Sequence, residues 1–260
     1  MKQRRVIYYR DKLNDEFSEA KITPRRIDGG YEYCPETPFK RFTHFFWYRV
    51  VATPVAFLFL KIKFGHRIIG KSVLKKYKNT GCFIYGNHTQ DIADACMPGM
   101  ISFPREAYVI VHPNNVSLPG VGLAARSMGA IPLPDDTAAY RNFLKAIEKR
   151  IAEKRVVAIY PEAHIWPYYT GIRPFGDVSF AYPVKCGVPV FCFTDTYQKR
   201  RFFKSPRMVT YVDGPFFADG SKSKRDRARE LRDKVYAKMC ERAKLSNESV
   251  IEYKKEGSDG

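Results

Sequence analysis

The chain has 260 residues, enough for one large domain, since domains usually hold roughly 100–200 residues and α/β folds reach about 250. Apolar residues make up 45% and aromatic residues 15%, which excludes an intrinsically disordered chain. Lys and Arg number 45 against 27 Asp and Glu, and the net charge of +18 fits anionic lipid or phosphorylated substrates; with no zinc-finger or RNP-like pattern beside it, nucleic acid is not expected as a partner.

Residues 1–41 are polar and basic, contain Pro24, Gly29, Gly30, Pro35 and Pro38, and read as an irregular arm. Their start is charged and carries no apolar run with a small-residue cleavage site, so the expected location faces the cytosol. From Phe42 to Leu60 the chain turns aromatic and apolar, within a helical segment taken as 42–64. Arg49 and Pro54 interrupt it, leaving less than the roughly 18–20 charge-free residues a spanning helix needs. It therefore reads as a helix lying in a membrane interface: Phe45, Phe46, Trp47, Phe57 and Phe59 bury apolar surface while basic side chains reach lipid phosphates. The other reading is a buried core helix.

Residues 65–245 are taken as one domain, in which strands and helices alternate from Thr80. Cys82–Tyr85 is a short apolar strand, followed by a helix opening near Thr89 to Asp91. Tyr108–Val111 is a second strand. Thr137 to Lys154 is a helix that places Phe143, Leu144, Ile147 and Ile151 on one face. Val156–Tyr160, Val188–Thr194 and Met208–Val212 supply further strands, and Lys222 to Leu245 is a charged helix with Leu231, Val235 and Met239 along one stripe. This recurrence predicts an α/β sheet covered by helices, with residues 246–260 as a polar tail. The six cysteines show neither a C-x-x-C pair nor metal-ligand spacing, so free thiols and no structural metal are expected.

The chemistry gathers at two strand ends. Gly86-Asn87-His88-Thr89-Gln90-Asp91-Ile92-Ala93-Asp94 lies where a strand gives way to a helix, a usual ligand position in α/β folds. A histidine there can take a proton from an alcohol, and a neighbouring carboxylate can fix its tautomer; Asp91 and Asp94 are both candidates. The same residues would also serve as a helix cap beside a surface histidine. Ile159-Tyr160-Pro161-Glu162-Ala163-His164 also ends a strand in polar groups, so the two edges can face one cleft. No serine or cysteine sits in a G-x-S-x-G setting, which argues against a hydrolase.

Together these blocks resemble the glycerolipid acyltransferases, in particular the 1-acylglycerol-3-phosphate (lysophosphatidate) acyltransferase family. Its signatures are an N-H-x-x-x-x-D block, a later F-P-E-G-T-R block and a downstream V-P-[IV] strand. The counterparts here are Asn87-His88 through Asp94, Tyr160-Pro161-Glu162-Ala163 and Val188-Pro189-Val190, and the resemblance covers about residues 45–215. It implies an α/β fold of the glycerol-3-phosphate acyltransferase type, a mixed, mostly parallel sheet flanked by helices, preceded by the interfacial helical segment. It also implies transfer of a fatty acyl group from acyl-CoA or acyl-carrier protein to the hydroxyl of a lysophospholipid, 1-acylglycerol-3-phosphate first among them, in phospholipid biosynthesis. His88 would be the base and Asp94 its orienting carboxylate. Asn87, Glu162, Arg173 and Arg126 are the substrate-binding candidates, and no cofactor is needed beyond the acyl donor. A membrane surface is the partner, with the protein peripheral or monotopic on the cytoplasmic face.

The departures bear on the acceptor. The family's aspartate position is Ala93, and Asp94 follows one residue later; Asp94 is favoured because a helix start absorbs an extra residue easily, with Asp91 as the alternative. Glycine, threonine and arginine of the second block become Ala163, His164 and Ile165, and the basic residue expected after the Gly129-Ala130-Ile131 turn is replaced by Pro134 and Asp135. Arg173 stands where the family often carries a basic residue and is the expected replacement phosphate fork, with Arg126 behind it. His164 is a further contact candidate, and His112 occupies a position where the family often has lysine. The alternatives are another lysolipid or alcohol acceptor, or a membrane-surface relative without activity.

Overall fold

In the computed structural model, which describes residues 5–17, 24–34, 37–117, 125–126, 128–203 and 205–257, nine strands are formed. They are β1 (Arg5–Tyr9), β2 (Arg67–Ile69), β3 (Cys82–Gly86), β4 (Ala107–Val111), β5 (Ala130–Pro132), β6 (Val156–Ile159), β7 (Val190–Gln198), β8 (Arg207–Phe216) and β9 (Ile251–Lys255). Seven build one sheet in the order β2-β8-β7-β3-β6-β4-β5. All neighbours run parallel except β7 and β8, so the sheet is mixed and mostly parallel, as expected. The main helices are α1 (Pro38–Phe64), α2 (Asp91–Ser102), α3 (Thr137–Ala152), α4 (Ala181–Cys186) and α5 (Lys224–Ala243).

The central strands are apolar without a break because both faces of the sheet are covered. Side chains alternate between the two faces. Phe83 and Tyr85 of β3, Val157 and Ile159 of β6, and Val190 and Cys192 of β7 pack into one cluster with Phe143, Ile147 and Ile151 of α3 and Leu231, Val235 and Met239 of α5. Cys82, Ile84, Val156, Ala158, Phe191 and Phe193 point the other way, onto Leu60 and Phe64 of α1 and Ala93, Met97 and Ile101 of α2. Asp136 and Ser223 cap the starts of α3 and α5 with their side-chain oxygens, which satisfies first-turn amides that have no helical partner.

The aromatic segment 42–64 lies in α1, which is neither a core helix nor detached. Among the described residues it is a helix long and apolar enough to cross a membrane by length and composition. One side is bonded to the domain: the buried Tyr48 hydroxyl accepts the Ala107 N–H at 2.9 Å, and Arg49 Nε lies 3.6 Å from Glu106. A wide π turn over Phe46–Ala52 lies where these contacts are made. The outer side exposes Phe39, Phe42, Phe45, Trp47, Phe57 and Ile62, whereas Phe59 is half-buried with its ring 6.1 Å from that of Phe64.

Three readings of the sequence need correction. The arm 1–41 is not wholly irregular and 246–260 is not only a tail, because β1 pairs with β9 in a separate parallel pair from Arg5↔Ile251 to Tyr9↔Lys255. Both strands are short and half-exposed, and their partner lies at the far end of the chain, so neither shows the unbroken apolar run of an interior strand. Ala130-Ile131, expected in a turn, begins β5 and pairs with Val109 and Ile110.

Beside β8, His66 is buried and its Nε2 meets Thr210 Oγ1 at 2.8 Å. Thr210 Oγ1 in turn bonds Asp195. Burial, reinforced by Lys61, lowers the His66 pKa from 6.5 to about 4. The unfolded chain therefore binds this proton first as pH falls, so the contribution is intact above about pH 6.5 and is lost towards pH 4. We expect stability to decline by roughly 3 kcal/mol over that window from this residue, at 1.36 kcal/mol per pKa unit. Urea midpoints of wild type and His66→Gln check this, the variant losing less on acidification; parallel pH profiles would remove the assignment.

Candidate active site

The first strand end is made by close backbone approach. A Cβ on Gly86 would lie 2.1 Å from the Phe193 ring, so only glycine lets β3 and β7 meet there. Asn87 then continues the ladder with its side chain: its Nδ2 donates to Asp195 O at 3.1 Å, and Asp195 N–H donates to its Oδ1 at 2.8 Å. The buried Asn87 is thus a strand clamp holding its neighbour His88 in place.

The His88 side chain is set by Asp94 and Tyr160. Its Nδ1 lies 2.8 Å from Asp94 Oδ2, and the same oxygen accepts the N–H groups of Thr89 at 2.7 Å and Gln90 at 2.9 Å. The extra residue relative to the family block is taken up in this turn, where Gln90 is extended before α2 begins. The Tyr160 ring stacks on the imidazole at 4.6 Å and 23°, and its hydroxyl donates to Asp94 O at 2.5 Å. Asp94 is fully buried, whereas the His88 side chain is 17% exposed. Nδ1 is committed to the carboxylate, so Nε2 is the nitrogen left to exchange a proton with a bound molecule. Asp91 is exposed on the first turn of α2, and the carboxylate at the ring is that of Asp94.

The second strand end acts as a brace. Glu162 is buried; its Oε2 accepts the His88 N–H at 3.1 Å and its Oε1 the Arg173 N–H at 2.9 Å. Burial raises its pKa, and the Arg173 guanidinium and the two amide donors oppose that shift. Arg173 is completely buried. Its Nη2 donates to the carbonyls of Glu162 at 2.9 Å and His164, and its Nη1 to Lys12 O at 3.3 Å, while burial lowers its pKa. Glu162 and Arg173 were expected to hold the acceptor; in the structure both are buried and the hydrogen bonds they make go to the protein itself. Ala163, in the place of the family's glycine, keeps a left-handed backbone at φ +64°, a conformation costing a non-glycine residue roughly 1–2 kcal/mol.

The chain ends close over this loop. Trp166 N–H and Tyr168 N–H donate to the carbonyls of His88 at 3.2 Å and Thr89 at 3.1 Å, tying the loop to the histidine segment. Tyr9 and Tyr253, one from each of β1 and β9, pack their rings on Trp166 at 4.9 and 4.8 Å, and the Trp166 indole donates to Asp15 O at 2.8 Å. A cavity of about 280 Å³ lies here, lined by Arg5, Ile7, Phe17, Asp91 and Pro167.

Arg126 is not brought to this cluster: it lies over the Tyr31 ring at 5.4 Å. His164 pairs with Glu16 at 3.1 Å, and His112 Nδ1 accepts the Asn114 N–H at 3.3 Å. Sequence reasoning missed three participants. Tyr160 replaces the family's phenylalanine, and the added hydroxyl was the available signal. Asp195 is a lone carboxyl inside an apolar strand, itself a mark of a specialised position. Burial first, then Asp94, holds its pKa well above the ordinary range. Arg5 was hidden in the supposedly irregular arm.

Comparison with known proteins bears on the family and the fold. Residues 67–194 match the family described as Acyltransferase. The fold is similar to that of the 1-acyl-sn-glycerophosphate (LPA) acyltransferase PlsC from Thermotoga maritima, with a TM-score of 0.56 and 17% identity over 81% of this chain and 89% of that one. No curated protein matches the chain by sequence.

Proposed function

With residues 67–194 an acyltransferase-family domain as the premise, we propose that the chain is an O-acyltransferase that acylates the free hydroxyl of 1-acylglycerol-3-phosphate. The observation that carries this reading is the His88–Asp94 pair, with Nδ1 held and Nε2 open, at the end of a strand in that domain. His88 Nε2 takes the hydroxyl proton as the oxygen attacks the thioester carbonyl of acyl-CoA or acyl-carrier protein. Asp94 stabilises the imidazolium so formed. The C–S bond then breaks and the imidazolium returns its proton to the leaving thiolate. Thr89 and Gln90 amides are already taken by Asp94, so the developing oxyanion falls to other first-turn amides of α2.

With Arg173 enclosed, a cation proposed for the acceptor's phosphate is Arg5, which lines the cavity with Asp91. The outward Phe and Trp side chains of α1 would lie in the headgroup region on the cytoplasmic face, and the contacts of Tyr48, Arg49 and Phe64 with the domain favour a monotopic seat over a spanning one.

A second reading, a lysolipid of another headgroup, draws on one observation: the family's arginine position is Ile165, and Arg173 is enclosed. Initial rates with 1-acylglycerol-3-phosphate, lysophosphatidylcholine and monoacylglycerol, each with acyl-CoA and acyl-carrier protein, separate the two. We expect 1-acylglycerol-3-phosphate, with its phosphate monoester, to be used fastest. Preference for either other acceptor would transfer the assignment to the second reading, and no transfer with any pair would remove both.

A further inference from the structure

We propose that the tip between β7 and β8, Lys199–Phe203, is a second membrane-contacting element that, with α1, seats the protein on an anionic bilayer. The proposal rests on the interfacial reading of α1 and adds to it a surface from the other end of the domain sequence. Phe202 is 82% exposed and Phe203 60%, at the end of a hairpin rather than against the core. Arg200 lies over the Phe203 ring at 3.6 Å, and Arg201 over the Phe202 ring at 5.2 Å. Each ring thus carries a guanidinium beside it, the pairing that lets apolar surface sink to the acyl boundary while the charge stays among phosphates.

The tip and α1 form one surface. Arg200 Nη1 donates to Lys63 O at 3.1 Å and Ser205 Oγ to the same carbonyl at 2.7 Å, which fastens the tip to the last turn of α1. Lys61, Ile62 and Lys63 are exposed on that turn. Charge is segregated to match: neither Asp nor Glu occurs from Thr37 to Gln90, nor from Thr196 to Val212, in a chain with 27 acidic residues. These are the two stretches the hairpin brings together. An acid-free surface of exposed aromatics and cations fits an anionic bilayer, whose phosphates accept guanidinium hydrogen bonds. A single helix in the interface leaves the domain free to roll about the helix axis. The tip removes that freedom and fixes how the His88 cleft meets the membrane.

Tryptophan fluorescence with brominated lipids in phosphatidylglycerol vesicles tests this, because the chain has only two tryptophans: Trp47, exposed on α1, and Trp166, fully buried. In a Trp47→Phe background, Phe202→Trp should be quenched by bromines on the acyl chains, as Trp47 is in the wild type. The double variant Phe202→Ser, Phe203→Ser should bind vesicles at least about tenfold more weakly, since one buried Phe is worth one to two decades. Its thermal midpoint and its turnover of a short-chain, water-soluble acceptor should be unchanged. Quenching at position 47 without quenching at position 202, with wild-type binding of the serine variant, would overturn the proposal and leave α1 as the sole contact. Absence of quenching at both positions would remove the interfacial reading as well.

Discussion

Replacing His88 with alanine is expected to lower acyl transfer by about 10²–10⁴-fold, the usual contribution of a positioned general base, while the fold stays intact. Nε2 would be the group that takes the hydroxyl proton, and no other described side chain shares its position beside Asp94 at the open end of β3. The fold should survive because the backbone N–H and carbonyl of residue 88, which bond Glu162 and Trp166, do not depend on the side chain. The variant loses the stacked contact with Tyr160 and the Nδ1 bond to Asp94, whose Oδ2 keeps the Thr89 and Gln90 amides. Single-turnover rates with saturating donor, beside a urea midpoint, give the answer. Retention of more than about a tenth of the wild-type rate would refute the base assignment.

Arg173→Ala should act on stability instead, lowering it by about 3–5 kcal/mol, the cost of stranding one member of a buried ion pair. The guanidinium bonds the carbonyls of Glu162, His164 and Lys12, and its loss leaves those acceptors unfilled and the Glu162 carboxylate enclosed without its cation. Folding free energies of roughly 5–15 kcal/mol make this a large fraction of the total. Urea denaturation measures it directly. An acceptor-binding Arg173 would behave differently: the variant would keep its wild-type midpoint and raise KM for the phosphate-bearing substrate. That pattern would overturn the bracing role.

The two expected losses mark how far the sequence could be read. Strands such as Cys82–Gly86 and Val156–Ile159 are legible because an unbroken apolar run has one explanation in an α/β chain, burial on both faces. The His88–Asp94 pairing is legible because spacing along one turn is local. Arg173 is not: a motif position shows a charge near the site, but whether that charge faces a ligand or three carbonyls depends on the path of the 162–173 loop. That path is fixed by the contacts of Trp166 with Asp15 and Tyr253, which are distant in sequence. The β1–β9 pair was invisible for the same reason, since each strand is short and its signal lies in its partner.

That pairing also sets a timetable for making the protein. Arg5 waits for Ile251, a residue 246 positions later, and at about 5–20 residues per second the ribosome needs roughly 10–50 seconds to supply it. The apolar face of α1 emerges early in that interval, whereas the rings of Tyr9 and Tyr253 close on Trp166 only after β9 has been translated. On the interfacial reading of α1, a nascent chain would reach a lipid surface before the loop behind His88 is locked, and competence for chemistry would arrive last.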